Sequence, residues 1–456
     1  MEPNTQPTQS GGRMSQGLNG VRERARKNKQ ERFTALLHHV SVDRLRDSYY
    51  GLKRKAAPGV DGVTWKEYEI GLDDRLKDLH GRVHRGAYRA LPSRRQWIPK
   101  ANGKLRPLGI AALEDKIVQS AVVTVLNQIY EEDFRGFSYG FRPGRSPHGA
   151  LDALYVAIRG KKVNWILDLD LKGFFDNIDK EHLMEMVGRR IADTRILRLI
   201  RKWLNAGVIE DGEWSRTEKG TPQGAVISPL LANIYLHYVL DQWTDQWRQI
   251  ARGDVIIVRY ADDAVIGFQH QHEAEKFLKE LREQLRQYGL ELNEDKTRLI
   301  RFGRFAGQNR DERGEGKPES FTFLGFQHIC AENSLERFEV RRITDGERRR
   351  KKLQEIKQEL RRRMHEPVAQ VGGWLQSVLT GYYQYHAVPG NLTVLSRFRQ
   401  QVARYWFHVL GQRSQRRPTW ETLGKIFDQW LPVPHVVHEF PDARFHASRR
   451  AAAYPK

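Results

Sequence analysis

The window from Val255 to Phe268 constrains this chain more than any other. Val255-Ile256-Ile257-Val258 runs into Arg259-Tyr260-Ala261-Asp262-Asp263, and Ala264-Val265-Ile266-Gly267-Phe268 follows. β-Branched and aromatic residues fit a pleated, half-buried surface, so the pattern predicts two strands joined by a tight turn that carries two adjacent carboxylates. In an unbroken strand, neighbouring side chains point to opposite faces; a turn lets both acids serve one ligand. Two carboxylates held this close raise each other's pKa unless a cation lies between them, and hard oxygen donors suit Mg²⁺. For Asp-Asp alone a solvated hairpin is the plain alternative, because Asp is an ordinary turn residue. The rest of the chain decides between them.

A second set of acids lies in Trp165-Ile166-Leu167-Asp168-Leu169-Asp170-Leu171, which leads into Lys172-Gly173-Phe174-Phe175-Asp176. Period two places Asp168 and Asp170 on one face of a strand and Leu167, Leu169 and Leu171 on the other. Carboxylates in an otherwise apolar strand are costly unless ligated. One of Asp168 and Asp170, together with Asp262 and Asp263, makes three carboxylates from two separated strands. Such a set suits two Mg²⁺ about 4 Å apart and in-line phosphoryl transfer, with one metal activating the attacking hydroxyl and the other stabilising departing pyrophosphate. That chemistry also needs clamps for a triphosphate. Trp97 to Ile110 predicts a hairpin with Asn102-Gly103 as its turn and Lys100, Lys104 and Arg106 around it. Phe137 to Ser146 is a Gly/Pro-rich loop with aromatics and Arg142 and Arg145, suited to stacking on bases and touching a backbone. Gly220 and Gly224 flank a loop that lets a ligand approach the main chain before a helix over Leu230 to Leu240.

Charge points the same way. The chain has 77 Lys and Arg against 56 Asp and Glu, a net charge of +21. A globular chain this basic works against polyphosphate, with nucleic acid ahead of an anionic membrane surface. Its 456 residues predict two or three domains. Cys330 is the only cysteine, which excludes an intramolecular disulfide and a cysteine zinc site and fits a reducing cytoplasm. The opening residues offer no apolar stretch for a signal peptide, and the run Ala225 to Leu240 is too short and too polar to span a bilayer. Residues 1–30 are expected to be a disordered basic tail, and helices are expected from Phe33 to Tyr50 and Trp65 to Leu79. Phe321 to Phe326 reads as a short buried strand. Beyond Arg341 the composition turns helical: Gly346 to Met364, Trp374 to His386 and Val394 to Leu410, the last with a core stripe of Phe398, Val402, Tyr405, Trp406 and Val409. His435 and His438, with no clustered acids beside them, are not read as a metal site.

Taken together, Tyr260-Ala261-Asp262-Asp263 and the ordered blocks at Ala57-Pro58-Gly59, Ile98 to Ile110, Phe137 to Ser146, Trp165 to Ile178, Thr221 to Leu230, Leu292 to Thr297 and Phe323 to Phe326 resemble the bacterial group II intron-encoded reverse transcriptases and maturases. The resemblance implies an α+β right-hand polymerase with an antiparallel palm sheet, followed by an all-α thumb or maturase domain. The expected division is 31–90 as an N-terminal extension, 91–335 as fingers and palm, 341–430 as thumb, and 431–456 as a tail. The family pattern Asp-x-Lys-x-Phe-Phe-Asp falls on Asp170 to Asp176, which makes Asp170, Asp262 and Asp263 the implied ligands of two Mg²⁺. By the same resemblance Phe175 excludes a 2′-OH, Lys100 and Arg106 hold the triphosphate, Gln223 and Tyr260 line the nucleotide pocket, Lys296 protonates pyrophosphate, and Phe323 to Phe326 grips the primer. The implied partners are intron RNA as template, a DNA primer or target, and dNTPs. A single cysteine cannot supply the paired cysteines of an appended endonuclease, so the resemblance is to the endonuclease-lacking type. Two other readings are a splicing factor that binds RNA without catalysis, and a domesticated reverse transcriptase in phage defence or a diversity-generating element.

Overall fold

The computed structural model describes residues 16–99, 105–210, 213–215, 219–221, 224–312, 314–333, 335–413 and 419–453. Along these the strands are β1 (Ser93–Pro99), β2 (Leu105–Ile110), β3 (Trp165–Leu169), β4 (Val208–Glu210), β5 (Glu213–Ser215), β6 (Val255–Tyr260), β7 (Asp263–Phe268), β8 (Arg298–Arg301), β9 (Ser320–Phe323), β10 (Phe326–Glu332) and β11 (Phe338–Thr344). The central sheet is antiparallel in the order β6-β7-β3-β8. β6 and β7 form the expected hairpin, with Tyr260 opposite Asp263, and β3 lies beside β7 with Asp168 opposite Val265.

Alternation along these strands places apolar side chains on both faces. Leu167, Leu169, Ile266 and Phe268 enter a large core shared with the helices Leu113–Asp133, Ser228–Leu236 and Gln271–Gln287. Ile166, Ile256, Val258, Val265 and Ile300 face the other way, onto the helix Pro147–Gly160 and the antiparallel sheet β11-β10-β9. The acids sit where β3 ends and β7 begins, at one end of a sheet whose middle is covered on both sides.

β1 and β2 pair as predicted, from Arg94 opposite Ile110 to Pro99 opposite Leu105, and are extended by β4 and β5. Lys100, Lys104 and the Asn102-Gly103 turn lie outside the described residues. The helix expected over Trp65 to Leu79 is two helices, Trp65–Glu69 and Leu72–His84, because Gly71 between them takes φ of 71°. Phe321 to Phe326 is the close of one strand and the start of another. Leu324 and Gly325, at φ 48° and 81°, make a tight hairpin turn between β9 and β10.

The C-terminal helices Gly346–Arg362 and Leu392–Gly411 lie close to the expected spans, while Val368–His386 begins well before the expected Trp374; together they build a separate core around Leu360, Leu375, Phe398, Val402 and Trp406. A fourth helix, Trp420–Trp430, seats Phe427 in that core. Its Trp430 ring packs where a Cβ on Gly372 would come within 2.5 Å, so a side chain there would drive the two helices apart.

Two expectations about the ends are corrected. Gln16–Lys27, expected in a disordered tail, is a helix. Leu18, Val21 and Ala25 recur at helical spacing and are buried in the core that the helix Leu113–Asp133 shares. Its basic residues are partly neutralised: Arg22 and Arg26 pair with Glu132 at 2.7 and 3.2 Å. Beyond residue 431 the chain is no tail either. Leu431 is buried, and the helix Pro441–Ala453 returns to pack on Pro147–Gly160. Arg444 reaches the buried Asp152 at 3.2 Å, and Arg342 reaches it at 3.1 Å from β11. The His438 ring lies 3.8 Å from that of His148. Both segments are too charged for composition to reveal their apolar faces. No described helix is long and apolar enough to cross a membrane.

Candidate active site

The turn between β6 and β7 puts Asp262 and Asp263 at the open end of the central sheet. Ala261 makes the turn with φ of 56°, a left-handed conformation uncommon outside glycine. The turn is clamped from behind by the wholly buried Arg259. Its guanidinium donates to the Ala261 carbonyl at 2.8 Å, to Asn233 Oδ1 at 3.1 Å, to Ser138 Oγ at 2.8 Å, and to both Asp241 oxygens at 2.6 Å. On the other side Gly140 lies so close that a Cβ there would stand 2.2 Å from the Ala261 nitrogen. Asn233 closes the clamp by donating to the Gly140 carbonyl at 2.8 Å.

These clamp residues escape a reading of motifs, though each leaves a mark. Arg259 is a lone charge in a run of Val and Ile. Asn233 interrupts the apolar stretch that continues into the helix. The helix Ser228–Leu236, expected over Leu230 to Leu240, continues through a wider π-type turn at His237–Asp241 into Gln242–Ile250. Asp241 stands at the end of that turn.

Asp170 follows β3 directly, beside the turn acids. Its carbonyl accepts from the Asn293 N–H at 2.8 Å, and its carboxylate accepts from Asn293 Nδ2 at 2.9 Å and Lys296 Nζ at 3.4 Å. Asp168 lies one strand period back and pairs with Arg298 on β8 at 3.4 Å. Burial pushes the Asp168 carboxyl up to about 6, against the opposing pull of Arg298. Asp262 is raised by burial and by Asp170, with Arg106 acting to lower it. Asp263 opens to solvent along one side, yet the protein around it, then Asp262 and then Asp170, pushes it up to about 7. Asp170 raises both turn acids, and Asp168 adds a smaller push to Asp263. Of the two acids left open by strand periodicity, Asp170 stands in the closer electrostatic relation.

Around the acids, Arg106 on β2 lies within electrostatic reach of Asp262. Phe175, half-buried in the short helix Phe174–Asn177, has its carbonyl fixed by the Thr221 N–H at 3.0 Å. A Cβ on Gly220 would meet that carbonyl at 2.7 Å, and one on Gly224 would meet the Gly109 carbonyl at 2.7 Å. Gly220 and Gly224 thereby pack against the Phe175 turn and β2 respectively; Gln223 itself lies outside the described residues, as does Lys100. Tyr260 is half-buried, 6.5 Å from the Phe141 ring. Phe141 is exposed, but Arg142, expected to face nucleic acid, is buried on Glu131 and the carbonyls of Arg135 and Ser138.

The donors suit a divalent cation in kind: they are hard carboxylate oxygens, and for Asp262 and Asp263 burial disfavours the charged form that a cation would restore. Among the described residues no three acidic, His or Cys side chains form a ready-made ligand set. The Asp170 carboxylate is turned toward Asn293 and Lys296.

A family model described as reverse transcriptase (RNA-dependent DNA polymerase) matches residues 98–328. Protein YkfC of Escherichia coli (strain K12) is 38% identical over 282 residues, covering 53% of this chain and 72% of that protein. Group II intron-encoded protein LtrA of Lactococcus lactis subsp. cremoris is 38% identical over 223 residues, covering 48% of this chain but 37% of LtrA. A 91 kDa protein in the cob intron of Schizosaccharomyces pombe is 44% identical over 154 residues, covering 34% of this chain and 19% of that protein.

Proposed function

The chain belongs to the reverse transcriptase (RNA-dependent DNA polymerase) family, and on that premise we propose that it copies RNA into DNA as the protein partner of a group II intron RNA. The observation that carries the reading is that Asp170, one step past the Leu169–Ala264 pair of the sheet, comes within electrostatic reach of the clamped pair Asp262 and Asp263, as does Arg106 of Asp262. Asp170, Asp262 and Asp263 would hold two Mg²⁺, which supply activation of the primer 3′-hydroxyl and charge neutralisation at the departing pyrophosphate. Arg106, with Lys100, binds the triphosphate of the incoming dNTP. Phe175 occupies the place below the sugar, and Gln223 and Tyr260 line the pocket. Lys296, which donates to Asp170 at 3.4 Å, gives a proton to pyrophosphate. The Leu324-Gly325 turn holds the primer strand. The helices from Gly346 to Trp430 act as the thumb and, with the N-terminal segment, bind intron RNA in support of splicing.

The test is primer extension on an RNA template with dNTPs and Mg²⁺, comparing wild type with Asp262→Ala. Templated DNA from the wild type alone is the expected result; equal synthesis by both removes the site assignment. The other reading is a non-catalytic RNA-binding splicing factor. Tight RNA binding with no synthesis by either protein would select it.

A further inference from the structure

The far end of the central sheet holds a cleft with no part in the reaction above. Its volume is about 370 Å³, and it opens where β3 begins, beside the end of β8. Trp165 stands five residues from Asp170, roughly 16 Å along an extended strand, so the cleft is separate from the acids. Trp165 forms its floor, with Arg301 stacked on the indole, guanidinium carbon 5.0 Å from the ring centre. Phe305, 51% exposed, forms one wall.

The remaining lining is carboxamide. Asn164 and Gln269 are tied to each other and to the backbone: Asn164 Nδ2 donates to the Gln269 carbonyl at 3.0 Å, and Gln269 Oε1 accepts from the Asp254 N–H at 3.1 Å. Gln271 and Gln308 donate through Nε2 to Glu275 at 2.8 Å and Glu312 at 3.2 Å. Each leaves its side-chain oxygen directed to no partner among the described residues. Glu319 accepts from the Arg301 N–H at 3.3 Å at the rim.

This combination specifies a ligand class. Aromatic rings and a guanidinium plane stack on a base, and carboxamides pair with base edges. Glu319 is also paired with Arg310 at 3.8 Å, so this edge of the cleft carries charge of both signs. Carboxylates also accept a hydrogen bond from a 2′-hydroxyl, the group that distinguishes RNA from DNA. We propose that this cleft takes a single unpaired nucleotide of RNA, flipped out of its strand and stacked between the Phe305 ring and the Arg301 guanidinium that lies on Trp165. Such a site anchors a loop or bulge of a structured RNA on the side of the sheet away from the acids. It rests on the reading above only for the presence of RNA as partner.

The test uses the full chain and a single-stranded RNA carrying 4-thiouridine, irradiated with long-wave ultraviolet light, with crosslinked peptides identified by mass spectrometry. Crosslinks to the segments holding Trp165 or Phe305 are expected. Phe305→Ala should lower their yield about fivefold or more, the lower end of what a base–aromatic stack contributes, and Gln308→Ala, which removes a carboxamide partner for the base edge, should lower it as well; both positions are exposed. Primer extension on a short RNA template should be unchanged in both variants, so failure of this site and failure of the polymerase reading are seen separately. Crosslinks confined to other segments, unchanged yield in the variants, or equal labelling by a 4-thiothymidine DNA would overturn the proposal.

Discussion

Arg259 and Asp241 face each other as a fully buried, two-pronged ion pair, with both nitrogen–oxygen distances at 2.6 Å, directly behind the turn that bears Asp262 and Asp263. The guanidinium spends its remaining donors on the Ala261 carbonyl, Asn233 and Ser138, so one side chain fixes the turn, a helix and the preceding loop together. Removing Asp241 leaves a buried cation with no counter-charge. Asp241→Ala is expected to cost about 3–5 kcal/mol. Arg259→Lys, which keeps charge but loses the planar fork, should lower primer extension more than it lowers stability. Urea unfolding read alongside extension rate checks both, and a D241A protein as stable as wild type would show the clamp to be ornamental.

Gly140 offers a sharper probe of the same turn. A methyl group there collides with backbone, and the backbone belongs to Ala261. Gly140→Ala should displace the acids and reduce synthesis by an order of magnitude or more, whereas Gly136→Ala, where a Cβ meets nothing within 4 Å, should be silent. Comparing the two extension rates at equal folded fraction is the measurement.

The acids carry a pH signature. Asp263 has a folded pKa of about 7, above its unfolded value of about 3.9. Its protonated form therefore favours the native state: the contribution is fully present below about pH 4 and is lost as pH rises through about 7. Without divalent metal, the melting temperature of the wild type should fall relative to Asp263→Asn between about pH 5 and pH 8. Mg²⁺ should raise the wild-type value more at the higher pH, because ligation needs the carboxylates charged. Parallel melting curves for the two proteins across that range would dismiss this account.

At the back of the sheet, Asp152 pairs with two guanidinium groups that come from different parts of the chain, Arg342 on β11 and Arg444 on the last helix. Asp152→Ala strands both and should cost about 3–5 kcal/mol. Arg444→Ala removes only the outer partner and should be markedly milder, releasing the C-terminal helix to proteolysis first. Limited proteolysis followed by mass spectrometry reads the order of release.

Salt tests the basic surface. The ion pairs of Arg22 and Arg26 with Glu132 withdraw some charge from the surface, but the net charge of +21 leaves a large excess. Neutralising about 6 to 10 phosphates predicts an affinity for RNA that falls on the order of a thousandfold between 50 and 200 mM salt, by duplex-DNA figures. A flat response in a filter-binding titration would contradict a phosphate-led interface.

Local pattern determined a good deal of this protein. Period two in Val255 to Phe268 and Trp165 to Leu171 dictated the strands, the hairpin and the side of β3 on which Asp168 and Asp170 stand, because a strand's side-chain direction is set by parity alone. Helical spacing gave the core stripe of Phe398, Val402 and Trp406 for the same reason. Tertiary structure decided what parity cannot express. Whether Arg142 meets solvent or buries on Glu131, whether Arg259 is a stray charge or a clamp, and whether Leu18, Val21 and Ala25 find a partner all depend on residues roughly a hundred or more positions away, or across a loop whose path only packing fixes. The surroundings of Asp168 and Asp170 are of the same kind. Both share a face, and only the approach of the Asp262-Asp263 turn on one side and of Asn293, Lys296 and Arg298 on the other distinguishes them, because electrostatic environment belongs to space and not to sequence.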